Sequence, residues 1–129
     1  MTRLGRVLGV CILTVVGTLF LGWWSVPIAA ALIGWFDRRA RHPAIDGALG
    51  AALGWAILLA RYAAYGDLRG FGAMLGGVLH VPAWAPTAIT LAYAAALGAA
   101  GAALGAALAA TLRRPLPQRR GRVGGRPPR

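Results

Sequence analysis

Apolar residues run without a charged one from Val7 to Phe36, a stretch of 30 residues. One straight helix of that length would reach about 45 Å, well past a hydrocarbon core of about 30 Å. Its middle reads Gly22-Trp23-Trp24-Ser25-Val26-Pro27. Tryptophan favours the membrane interface, serine caps helices, and proline fits the first turn of a new one. The pattern therefore predicts a tight hairpin, with one helix near residues 4–22 and a second near 26–38. The alternative is a three-span chain in which residues 7–36 cross once. It would bury both tryptophans at mid-membrane.

A basic turn follows, Asp37-Arg38-Arg39-Ala40-Arg41-His42. The next apolar run predicts a helix over 43–65, long enough to cross. Between Gly66 and Ala85 glycines and Pro82 interrupt the pattern, yet Phe71, Met74, Leu75 and Val78 recur at helical spacing. That spacing predicts a short helix along the membrane surface, with a re-entrant segment as the alternative. A last helix is expected over 86–112, stopped by Arg113-Arg114-Pro115. The expected fold class is an all-α integral membrane protein: a four-helix transmembrane bundle over residues 1–112, with the short helix between its third and fourth members. Residues 113–129 are rich in Arg, Pro and Gly and lack a hydrophobic pattern, which predicts a disordered basic cytoplasmic tail.

Composition agrees with the pattern. The 129 residues are 58% hydrophobic and 13% charged, with a mean hydropathy of +0.63. A soluble domain needs more polar residues to cover its surface, so the surplus must face lipid or a partner. The abundance of Arg, Ala, Gly, Leu and Pro fits a GC-rich genome, which weakens any single Ala/Gly pattern as a signal.

The net charge of +11 comes from fourteen arginines, with no lysine and no glutamate. Such a charge suits nucleic acid, but its placement argues against that partner. Seven arginines fall in 113–129 and the others bracket apolar segments. With four crossings, Arg3, Arg6, Arg38, Arg39, Arg41 and the tail arginines share one face, and only Arg61 and Arg69 fall on the other. The positive-inside rule makes the first face cytoplasmic, so both termini are expected in the cytoplasm of a bacterium, at its inner membrane. Arg113 and Arg114, leaving the bilayer there, are expected to meet anionic lipid headgroups.

Arg3 and Arg6 before an apolar run also resemble the start of a secretory leader. The run is too long for one, and Val10 stands where the lipoprotein signal preceding Cys11 needs a small residue, so an uncleaved first helix is expected. One cysteine permits no intrachain disulfide and no Cys-based metal site.

Few residues carry candidate chemistry. Gly50 and Gly54 in the third predicted helix, and Gly101 and Gly105 in the last, are GxxxG pairs, the spacing that lets helix backbones approach. They are the candidate packing residues, within a chain or between copies. Asp46 is the one carboxylate placed inside a predicted span; its position three residues after Pro43 suits a helix N-terminus near His42, Arg39 and Arg41, and a membrane carboxylate is also a candidate proton or cation site. Arg61, followed by Tyr62, Tyr65 and Asp67, suits an arginine that snorkels or pairs with Asp67, or else an anion site. Asp46 and Arg61 are thus the candidate polar site.

Two resemblances fail on composition. Small multidrug transporters depend on a glutamate in their first helix, and this chain has none. The run Gly-Ala-Leu-Gly-Ala-Ala followed by Arg61-Tyr62 resembles small fluoride channels, whose pore needs an asparagine, and this chain has none. No P-loop, GxSxG or CxxC pattern occurs. The sequence predicts no catalytic residue, no cofactor and no metal site. The expected function is that of a non-catalytic structural or accessory subunit, packing against itself or a larger membrane complex. The alternative is a homo-oligomeric small-solute channel, transporter or holin-like pore.

Overall fold

Every regular element in the computed structural model is helical, across the residues it describes, 2–36 and 41–112. The Asp37–Arg38–Arg39 turn and the tail with Arg113 and Arg114 lie outside those residues. The elements are α1 (Arg3–Leu21), a 3-10 turn (Gly22–Trp24), α2 (Ser25–Phe36), α3 (Pro43–Tyr65), α4 (Leu68–Leu79) and α5 (Ala85–Thr111). Three helical stretches are long and apolar enough to cross a membrane: Arg3–Phe36, Pro43–Tyr65 and Ala85–Thr111.

The first of these stretches does not run straight. Residues eight and twenty-four apart on one helix lie about 12 Å and 36 Å apart. Here a methyl group on Gly17 would sit 2.7 Å from Ser25 Cβ, and one on Gly9 would sit 3.3 Å from the Ile33 side chain. The chain therefore folds back, and α1 and α2 are antiparallel. Gly22 makes the reversal: it caps α1 at φ 71°, ψ −161°, a backbone conformation open to glycine alone. Ser25 Oγ donates to the Gly22 carbonyl at 2.9 Å and lies 3.3 Å from Thr18 Oγ1, and the Trp23 and Trp24 rings stack at 4.1 Å.

α3 and α5 form the second antiparallel pair, and the two pairs lie side by side with α1 parallel to α3 and α2 parallel to α5. Glycine sets every one of these contacts. Gly47 and Gly98 face each other's carbonyls across α3 and α5. Gly101 and Gly105 face Pro27 and Ala31 of α2, while Gly34 of α2 faces Ala102. Gly50 and Gly54 face Val10 and Thr14 of α1. The two GxxxG pairs thus meet α1 and α2 rather than each other. The core between them is correspondingly small-residue: Val10, Val26, Ala30, Ala51 and Ala102.

α4 lies against α3 and α5. Asp67 opens it, accepting from the Gly70 N–H at 2.7 Å, and His80 closes it at φ 55°. Its small face, Gly72 and Gly76, packs on the carbonyls of Ala83 and Val81, so that Phe71, Met74 and Val78 point outward and are exposed.

Candidate functional site: a buried ion pair between α1 and α3

The parallel helices α1 and α3 meet in one register over three turns. Arg6 stands opposite Asp46, Val10 opposite Gly50 and Thr14 opposite Gly54. Because Gly50 and Gly54 hold no side chain, the backbones approach, and the first turn of α3 brings its carboxylate onto α1. Asp46 Oδ2 accepts from Arg6 Nε at 2.7 Å, and Oδ1 accepts from Arg3 Nε at 3.0 Å. Asp46 is 4% exposed and Arg6 8%, whereas the Arg3 side chain is 64% exposed.

A charge taken out of water is costly unless an opposite charge and hydrogen bonds meet it. Arg6 supplies that partner for Asp46, and the positive end of the α3 dipole adds to it. Arg3 adds little, since exposed pairs contribute about 0–1 kcal/mol. Both carboxylate oxygens are therefore occupied, and a proton or cation would have to displace a guanidinium to reach them. The adjoining void, between Arg6, Asp46, Gly47 and Ala102, is about 10 Å³, at the lower limit for one water.

The expected surroundings of Asp46 differ from those found. Arg41 and His42 are exposed, and the His42 side chain makes no capping bond; Arg39 lies outside the described residues. Arg61, the other candidate polar residue, is exposed fifteen residues further along α3, about 22 Å away along the axis. The two do not meet. Asp67 serves as the α4 cap, and among the described residues it makes no ion pair with Arg61.

The sequence reading missed Arg3 and Arg6 as partners of Asp46. A signal was present: Arg6-Val10-Thr14 and Asp46-Gly50-Gly54 share a four-residue period, bulky on one helix and small on the other. It becomes visible only once the two helices are known to be parallel neighbours.

Two further polar atoms are buried without a hydrogen-bond partner among the described residues, Thr14 Oγ1 and Trp55 Nε1. Cys11 is buried beside Thr14's helix turn, and no three of His, Cys, Asp or Glu come together among the described residues as a metal cluster would require. Comparison with protein-family models, with curated proteins and with solved structures finds no match.

Proposed function

We propose that this chain is a small polytopic protein of a bacterial inner membrane, crossing it four times with both termini in the cytoplasm, and that it serves as a non-catalytic structural or accessory subunit. One observation carries the reading: the only charged groups in the described interior, Arg6 and Asp46, neutralise each other at one end of the bundle. The rest of the described interior is packed mainly by glycine, alanine and valine contacts, so among the described residues a single copy offers a solute no continuous polar path. Of the three aspartates, Asp46 is held by arginines and Asp67 by a helix cap, which leaves them poorly placed for acid–base work. α4, with Phe71, Met74 and Val78 outward, suits the outer interface of the bilayer.

The test is native mass after gentle detergent extraction, together with solute flux in reconstituted vesicles. The reading predicts a discrete complex with another membrane protein and vesicles no leakier than protein-free ones. A homo-oligomer that conducts ions or small solutes would replace it with a channel.

A further inference from the structure

We infer that the groove between α1, α3 and α4 holds one acyl chain of a single phospholipid, whose phosphate is bound by Arg61. The inference rests on the membrane placement above and adds a specific site to it. The groove is about 700 Å³, within the range of about 300–1,000 Å³ typical of ligand sites. Leu19 of α1, Leu58 and Leu59 of α3, and Leu68 and Phe71 of α4 make most of its walls apolar, and Thr18 and Asp67, whose carboxylate is taken up by the Gly70 N–H, complete them. It continues into a second hollow of about 310 Å³ that shares Leu19, Leu58, Tyr62 and Gly66 and is edged by Arg61 and Tyr65.

Two observations select a phospholipid as the occupant. The apolar part is open at the side of the bundle, where the reading above puts hydrocarbon and not water. At the rim, in the last turns of α3, an exposed guanidinium stands among two tyrosines, the donor set and depth that suit a phosphate. A second helix would cover the apolar walls but would not bring an anion to Arg61.

The experiment is native mass of the full chain released from detergent, with added phosphatidylglycerol or with diacylglycerol of the same acyl chains. The wild type should retain one phosphatidylglycerol and no diacylglycerol. Arg61→Gln should reduce that retention at least tenfold. Arg69→Gln, which removes the same charge from the same end of the molecule without lining the groove, should leave it unchanged. Leu58→Trp, which fills the groove and keeps Arg61, should also abolish it. Equal losses for Arg61→Gln and Arg69→Gln would mean unspecific attraction, and equal retention of diacylglycerol would mean no phosphate site; either overturns the inference. So does a wild type that retains neither lipid. A chain that stays in solution without detergent would instead overturn the membrane reading itself.

Discussion

Arg6 Nε donates to Asp46 Oδ2 at 2.7 Å, joining two helices that are 40 residues apart in sequence and parallel in space. The same separation recurs one and two turns on, where Val10 faces Gly50 and Thr14 faces Gly54. The ion pair is thus the end of a three-turn contact, and both charged side chains are buried.

Removing Asp46 takes the carboxylate away from the buried Arg6 guanidinium. Asp46→Asn should lower stability by about 3–5 kcal/mol, the usual cost of breaking a buried pair. Arg3→Gln, which removes the exposed partner, should cost about 0–1 kcal/mol. Replacing Arg6 and Asp46 together, by Met and Leu, should cost much less than the sum of the two single changes. Thermal unfolding in detergent, followed by circular dichroism, measures each of these chains, with Arg6→Met and Asp46→Leu also made singly. Equal effects at Arg3 and Asp46 would place the carboxylate in water.

The glycine contacts make a graded prediction. A methyl group on Gly98 would lie 2.5 Å from Ala51 Cβ, and one on Gly47 2.6 Å from Ala102 Cβ, with a backbone carbonyl closer still in each case. Gly98→Leu or Gly47→Leu should therefore cost at least about 1–3 kcal/mol. Gly77→Ala in α4 meets nothing within 4 Å and should be neutral or stabilising by up to about 1 kcal/mol. The same melts report it, and a destabilised Gly77→Ala protein would show that α4 packs on something at that face.

Thr14 is fully buried with no partner for its hydroxyl among the described residues. Its methyl group carries the packing against Gly54. Thr14→Val keeps that shape and removes the unsatisfied oxygen, so stability should be unchanged or rise by about 1 kcal/mol. A loss of more than 1 kcal/mol would show that the hydroxyl has a partner after all.

The helices were legible because each boundary has a local cause. Gly22 with Trp23, Trp24 and Pro27 marks the reversal, Pro43 and Pro86 mark helix starts, and the spacing of Phe71, Met74 and Val78 marks α4. Partner choice was not legible, because it depends on which helices are neighbours. GxxxG spacing indicates that Gly50–Gly54 and Gly101–Gly105 admit close contact, but not that one takes α1 and the other α2. Nor does it single out Gly47 and Gly98, which meet each other. Arg3 and Arg6 were explained by topology alone, since a basic N-terminus needs no partner; their second role follows from a contact 40 residues away. Asp67 beside Arg61 invited a pair, and the nearer Gly70 N–H took the carboxylate.

The four-span topology depends on the reversal at Gly22–Trp24 carrying the chain back across the bilayer. Single cysteines tested for labelling by a membrane-impermeant maleimide in intact cells measure that directly. With Cys11 replaced by alanine, cysteines are placed one at a time at Thr2, Trp24 and Arg129. The account predicts labelling from outside at residue 24 only, with residues 2 and 129 reached after the membrane is opened. Labelling from outside at residue 2, or at residue 129, would contradict it and make the chain cross three times.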